Sequence, residues 1–544
     1  MTVHAQWQSN TGPSGAALGA VVGGDIERYT RALALAGIVA NRPWATRPFE
    51  YQDLRSMLAA TETRSHPWQA RLSTGVQRRG TLGVTAFTSV NSGFPWGNND
   101  GPMWQGRGVN TAIGTAAAFH WSHLSLVAAP GAFVSQNAQF PELPQAATSV
   151  SRFADPLFPG NIDLPQRMGD RAYARLVPGE SSISVFAGSY AAGISTASVG
   201  WGTGEAFPSI LGPNAGGFPH AFMGTRGRGA RIPLIGYVSA VYLLGTLQQT
   251  AWSPVQGAET YVSPQQTGTR RIGTGFNISF MPDAIRNLEL GATRFFHSPF
   301  RSGPRRWDPW SKPFEGILKS NFNDRSPGAE DPSGDSDNQL ASLFARWVFP
   351  SRGVEANFEL LRDDHNWDSR DLAQEPENNG AILASIRAIT HRSAARLALL
   401  TFEYFDGEVR PIGQVRSQGY LYISGGLLQG HTQRGQLLGA PLGAGAVSGA
   451  RAAWERFTAD GALRVTAQRW RTRSIRTPDG QGLYLSAPTL IPNNHDWIMD
   501  ASAELTRYRR GGAQSAEVGM AWAGTFNFDH SRANLYVRTS WSAF

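Results

Sequence analysis

The 544-residue sequence contains no cysteine, which excludes disulfides, thiolate metal sites and cysteine nucleophiles. Charge is also scarce: Asp, Glu, Lys and Arg make up 17% of residues, well under the usual quarter. Lysine is almost absent, with only Lys312 and Lys319. The arginines are dispersed, with no basic run of five or six, so the net charge of +8 does not point to a nucleic-acid partner. Long apolar runs are missing too. The nearest, residues 15–24 and 32–40, have about half the ~20 residues that a membrane-spanning helix needs. With a mean hydropathy of −0.28, two classes remain open: a soluble protein, or a β-barrel that crosses a membrane with alternating strands.

Catalytic signatures are absent as well. There is no His-Glu-x-x-His, and no Gly-x-Ser-x-Gly in a strand–turn–helix setting. Gly334-Asp335-Ser336 sits in a loop, and the glycines of 443–449 miss dinucleotide spacing and read as a flexible turn. Asp363-Asp364-His365 and the acidic stretch 331–337 lack the spacing of a calcium loop and read as solvated loops. No catalytic residue, metal site or cofactor is therefore assigned, and the chain is expected not to be an enzyme.

Glycine (61 residues) and aromatics (11%) are plentiful. Near the start, Val3-His4-Ala5 has the small-residue spacing of a signal-peptidase site, so residues 1–23 are expected to include a signal-peptide remnant. A small helical bundle is expected over residues 24–78. In it, Asp25 serves as N-cap, with Ile26, Tyr29, Leu33 and Ala36 at helical spacing and Gly37 as terminator. A second helix is predicted over 49–61, and a third from Pro67.

Residues 79–544 change texture. Segments of eight to twelve residues alternate apolar and polar side chains, among them 82–90, 114–127, 182–190, 232–243, 340–349, 354–361, 396–405, 416–424, 448–457 and 534–541. Sixteen to twenty strands without crossover helices predict a large antiparallel sheet, closed to avoid open edges; no fixed-period repeat supports a propeller. Some connections are tight (350–353, 391–394), whereas others are long (91–110, 136–170, 298–338, 362–379). This asymmetry is that of an outer-membrane barrel with its long loops outside the cell. Phe295, Phe296, Trp347, Phe349, Tyr404, Phe405, Trp454 and Phe457 are predicted to form interfacial girdles. The terminal Phe544 is out of phase with Leu535, Val537 and Trp541.

Four ordered stretches resemble the Wzi family of capsule assembly proteins. The first is Gly24-Asp25-Ile26-Glu27-Arg28 with Gly37-Ile38, Trp44 and Arg47-Pro48. The second is Gly200-Trp201-Gly202-Thr203-Gly204 with Ser209-Ile210-Leu211 and Asn214-Ala215; here Thr203 stands where the family often has Pro. The others are Glu359-Leu360-Leu361-Arg362-Asp363-Asp364-His365 and Gly430-His431-Thr432-Gln433-Arg434-Gly435-Gln436-Leu437-Leu438-Gly439. The resemblance implies a transmembrane barrel of about eighteen strands in the bacterial outer membrane, a periplasmic helical bundle and a pore blocked from within. It also implies lectin-like attachment of capsular or other exopolysaccharide to the cell surface.

Trp201, Gly202, Gly204 and Asn214 are the candidates for an internal plug or constriction, since glycine permits close backbone approach; an ordinary turn is the alternative. The candidates for saccharide contact are loop tryptophans with polar neighbours: Trp96 and Trp104 near Asn98, Asn99 and Asp100; Trp307 and Trp310 beside Arg305 and Arg306; and Trp367 beside Asp364. Aromatic faces stack on sugar C–H groups while Asp, Asn and Arg bond hydroxyl and acidic groups. The same rings could instead pin loops or form a girdle. Arg387, Arg396, Arg416, Arg451, Arg464 and Arg469 lie on predicted strands. They either set a positive luminal field for an acidic polysaccharide or pair with luminal carboxylates. The expected partners are a surface polysaccharide and outer-membrane lipid including lipopolysaccharide, with the protein acting as a monomer. The competing expectation is a channel for anionic solutes or sugars.

Overall fold

The computed structural model describes residues 12–59, 65–77, 80–142, 151–155, 158–227, 229–255, 270–300, 309–314, 337–363, 373–374, 379–408, 420–424, 427–473, 497–524 and 531–544. Three α-helices open the described chain: α1 (Asp25–Leu35), α2 (Tyr51–Ala59) and α3 (Gln69–Gln77). Gly24, not Asp25, is the N-cap of α1. The N–H of Gly23 donates to the Glu27 carboxylate, while Asp25 pairs with Arg28 at 2.7 Å. Gly37 closes the helix as expected. At φ +67 it lets its own N–H reach Ala34 O (3.0 Å) and the Ile38 N–H reach Leu33 O (2.9 Å), the paired bonds of a Schellman motif.

The rest of the described chain is an eighteen-stranded antiparallel β-barrel. The first nine strands are β1 (Gly80–Asn91), β2 (Gly108–His120), β3 (Leu124–Ala128 with Gly131–Ser135), β4 (Tyr173–Val177 with Ser182–Ala187), β5 (Tyr190–Ser195), β6 (His220–Thr225 with Ala230–Ile232), β7 (Gly236–Leu247), β8 (Arg271–Pro282) and β9 (Leu288–Pro299). The second nine are β10 (Asn338–Phe349), β11 (Val354–Asp363), β12 (Gly380–Arg392), β13 (Arg396–Gly407), β14 (Ala446–Thr458), β15 (Gly461–Arg473), β16 (Trp497–Arg509), β17 (Gly512–Gly524) and β18 (Ser531–Ala543). β1 pairs with β18 from Val84↔Ala543 to Asn91↔Tyr536, so the sheet closes on itself.

Alternation decides which face of the wall is which. On β18, Leu535, Val537 and Trp541 point outward and are exposed, whereas Asn534, Tyr536 and Arg538 point inward and are buried. Apolar outside and polar inside is the inverse of a soluble protein and suits a hydrocarbon surround. The strand ends at Ala543, which resolves the phase of Phe544: its ring lies over Gly83, where no Cβ intervenes, and its N–H donates to Gly511 O at 2.6 Å. The girdle assignment needs correction. Trp347 and Tyr404 do face outward, but Phe295, Phe296, Phe405 and Phe457 are buried. Neighbours on a strand take opposite faces, so Tyr404 and Phe405 cannot both face lipid.

Four predicted segments also differ: 182–190 runs across the turn at 188–189, and 232–243 runs across the turn at 233–235. Residues 114–127 are not one strand, because the chain turns at 121–123, and Trp121 N–H donates to Leu124 O at 2.8 Å. The described part of 416–424 is not wall either; it lies inside the barrel and makes one isolated bridge, Leu421↔Gly445. The loop asymmetry is observed. Connections such as 459–460, 510–511 and 350–353 are short at one end, and those following β8's entry side, such as 300–337 and 408–445, are long at the other.

The helices pack into the short-turn end. Tyr29 stacks on Trp68 (4.0 Å between centroids), and both rings meet Phe457 edge-on. Leu33, Leu54 and Leu72 share one apolar cluster with the wall residues Leu397, Leu399, Phe457, Tyr508 and Ala513. Helices of nine to eleven residues are too short to be stable alone, and this shared burial supplies what propensity does not.

Candidate functional site

The barrel interior holds the chemistry. Residues 196–219, between β5 and β6, do not stay at the rim but fold inward. Trp201, Phe207, Ile210, Leu211 and Phe218 are buried against Phe295, Leu340, Leu361, Leu383 and Phe405 of the wall. A segment that leaves the ladder of the barrel must satisfy most of its backbone in another way. Here wall carboxylates do so. Glu359 accepts from the Thr203 N–H (3.2 Å) and the Ser209 hydroxyl, and Glu403 accepts from the N–H groups of Glu205 (3.0 Å) and Phe207 (2.7 Å). Gly202 sits at φ +82, and a Cβ there would lie 2.6 Å from the Glu359 carboxylate, so this position admits only glycine.

The Glu205 side chain reaches three arginines on three strands: Arg387 (2.7 Å), Arg464 (3.0 Å) and Arg451 (3.7 Å). From there the ion pairs continue to the helices. Arg387 and Arg346 approach Glu355 at 3.4 and 2.9 Å, and Arg31 of α1 meets it at 2.6 Å. Arg464 also approaches Glu455 (3.4 Å), which binds Arg28 of α1 at 2.9 Å. Burial, with Arg387 nearby, pushes the Arg31 guanidinium down to about 10, still charged at neutral pH. Burial likewise raises the Asp25 carboxyl to about 6, against the pull of Arg28. One continuous network thus joins helix, inward loop and wall.

A second inward segment, within residues 420–445, lies over the first. The Tyr422 hydroxyl donates to Ser209 O at 2.6 Å, and its N–H donates to Asp363 at 2.5 Å. His431 Nε2 donates to Ile210 O (2.6 Å), which leaves its Nδ1 to accept from His297 Nε2 (2.6 Å). Burial pushes the His431 imidazole down to about 3, so it stays neutral. Arg271 donates to Gly430 O and Thr432 O, both at 2.6 Å.

All four candidate plug residues lie in this interior. Trp201 is buried beside Phe295 and pairs, with Gly200, against Thr46–Arg47 below α1. Gly204 packs on Phe207 O and Leu383. Asn214 accepts from the Asn99 N–H (3.0 Å) and donates to Leu437 O (2.8 Å), tying three loops together.

The saccharide candidates scatter. Trp96 is buried against Trp470 (4.9 Å between centroids), and its indole N–H donates to Asp500 at 3.2 Å. Trp104 packs on the small cluster of Phe87, Met103 and Phe133, and its neighbours Asn98, Asn99 and Asp100 are buried. Trp310 is exposed, but its segment lies along the outer wall: Tyr242 donates to Trp310 O at 2.8 Å, and Phe314 stacks on Tyr242 and Phe276. Arg305, Arg306, Trp307, Asp364 and Trp367 lie outside the described residues, as does Arg416. Of the strand arginines, Arg387, Arg451 and Arg464 face inward and pair, whereas Arg396 and Arg469 are exposed because their strand phase turns them outward.

Sequence reasoning missed Glu205, Glu403 and Glu355, and it named Glu359 and His431 in the resemblance stretches without giving them a luminal role. The signal for some was present. Glu355, Asn357 and Glu359 recur at period two on β11, the luminal phase of a strand whose other phase carries Phe358 and Leu360.

No family model matches the sequence, and no curated protein matches it. Solved structures do resemble the fold. Wzi, an outer membrane protein involved in group 1 capsule assembly in Escherichia coli and a carbohydrate-binding β-barrel, superposes with a TM-score of 0.60 at 14% identity, covering 96% of this chain and 98% of its own. Pseudomonas aeruginosa OccK2 (OpdF) is a much looser match, with a TM-score of 0.38 at 9% identity over 85% of this chain and 96% of its own. OprD from the same organism scores 0.36 at 8% identity, over 85% and 94%. At these identities the likeness is one of architecture, and the chain is an eighteen-stranded outer-membrane-type β-barrel.

Proposed function

We propose that the protein resides in the bacterial outer membrane, binds capsular or other exopolysaccharide in a lectin-like way, and helps to anchor or assemble it at the cell surface. In this reading it acts as a monomer, without catalysis, and its lumen is closed by its own loops. The supporting observation is the inward fold of residues 196–219, bonded to Glu359, Glu403 and the Arg387–Arg451–Arg464 cluster. A solute channel needs a continuous aqueous path, and a segment packed inside the barrel against its wall works against one. The carbohydrate binding of Wzi, the barrel of similar shape, supports the glycan part of the reading. The glycan then meets the long-loop face, and the buried arginine network holds that face in place rather than touching the sugar.

Two measurements on purified protein test this. Planar-bilayer recording is expected to show no stable conductance; a large, steady one favours the channel for anionic solutes or sugars. Incubation with the host's own surface polysaccharide is expected to give binding without shortening of the polymer. Depolymerisation would point to a hydrolase instead.

A further inference from the structure

The wall is not uniform. All three interrupted strands, and the shortest one, stand side by side from β3 to β6. A membrane-crossing strand needs about 9–11 residues, yet β5 has six before the chain turns inward at Thr196. The outer piece of β4, Tyr173–Val177, pairs with β3 on one edge and, among the described residues, with no strand on the other. Across the gap, the end of β7 is met by the bond from the Thr246 N–H to Pro219 O (2.9 Å). The ladder therefore opens into a window above Ser195 and His220.

A trough of about 1000 Å³ fills this window on the outward face, lined by Phe119, Leu126, Ile183, Ile194, Leu244 and Ile272 among others. Among the described residues that line it, none is Asp, Glu, Lys or Arg. Behind it lies a smaller cavity of about 100 Å³, and Val127, Ser182, Ser195 and His220 line both. Open sheet edges are not tolerated against hydrocarbon. Yet here no described strand pairs with one edge of Tyr173–Val177, and Leu176 beside it is 83% exposed.

We propose that this trough seats one acyl chain of a lipid from the leaflet facing the long loops, with the lipid's polar part beside the outer piece of β4. The trough is continuous with the outward apolar face of the barrel, and its uncharged lining suits hydrocarbon rather than a solute or a peptide. The inference rests on the barrel lying in a membrane and is independent of polysaccharide binding.

The test uses the full protein reconstituted in nanodiscs containing phospholipid with a photoactivatable group on the acyl chain. Cross-links are expected to concentrate on peptides carrying Ile183, Ile194 and Leu244. The outward-facing Ala221 and Ala128 line the trough. Ala221→Trp and Ala128→Phe, made separately, are each expected to reduce those cross-links several-fold, whereas Ala503→Trp on the far wall leaves them unchanged. Cross-links spread evenly around the wall, or unaffected by either filling substitution in folded protein, overturn the proposal. Polysaccharide retention by cells carrying Ala221→Trp is expected to be normal, which separates failure here from failure of the proposed function.

Discussion

Replacing Glu205 by Ala should unlatch the inward loop. Glu205 is the carboxylate on which Arg387, Arg451 and Arg464 converge, and its side chain and all three guanidinium groups are buried. Removing one partner of a buried ion pair costs about 3–5 kcal/mol, because the remaining charge is left without compensation. At about 1.4 kcal/mol per factor of ten, the undocked state of residues 196–219 should become about two to four powers of ten more populated. Arg387 and Arg464 keep a second carboxylate each, at 3.4 Å, which favours the lower figure. The assay is single-channel recording in planar bilayers, with a wild-type baseline free of steady conductance. Glu205→Ala should show recurrent openings. The Glu205→Ala/Arg387→Ala double variant should show fewer, since one orphaned cation has gone. Wild-type silence in Glu205→Ala, together with an unchanged urea midpoint, would refute the latch reasoning.

Other perturbations follow from the same geometry. Gly202→Ala places a Cβ about 2.6 Å from the Glu359 carboxylate at a positive φ, so the variant should open more often or fold less well, with urea unfolding in lipid vesicles as the measure. Val537→Arg, midway along the outward face of β18, should lower stability in the bilayer by about 2–4 kcal/mol; an unchanged midpoint would contradict the outward assignment. His431 is held near 3 by burial, with Arg271 close by, against about 6.5 when free. As pH falls from 6.5 towards 3, the undocked loop takes up a proton that the docked one refuses, so docking weakens, by about 2–3 kcal/mol at pH 4.5. Hydrogen exchange within 427–440 should rise on acidification, and less so in His431→Asn; exchange independent of pH would count against it. Trp96→Ala empties a buried site and should lower stability by about 3–5 kcal/mol. If polysaccharide binding alone fell while stability held, Trp96 would be a contact residue after all.

The barrel was legible because closure leaves a mark in every strand: apolar outside, polar inside, at period two. The segment 534–541 displays it outright. The helices were nearly as plain: Gly37 closes α1 as its sequence indicates, whereas the N-cap is Gly24 and not Asp25, because Asp25 is drawn into an ion pair with Arg28. What stayed hidden is what alternation does not encode. Residues 196–219 carry no periodicity, and their position depends on Glu359 and Glu403 well over a hundred residues away. The merger of 114–127 across the turn at 121–123 has a similar cause, because Trp121 and Leu124 both look like strand residues. Loop tryptophans read from composition as sugar platforms, yet Trp96 is placed by Asp500 and Trp470, neighbours that only the closed barrel supplies.

The central claim is that this barrel holds polysaccharide at the cell surface rather than conducting solutes. The most direct measurement is the ratio of cell-bound to shed polysaccharide in the native host with the gene deleted and then restored. The account predicts that deletion moves polysaccharide into the medium and that restoration returns it to the cell. Retention unchanged by deletion would contradict it.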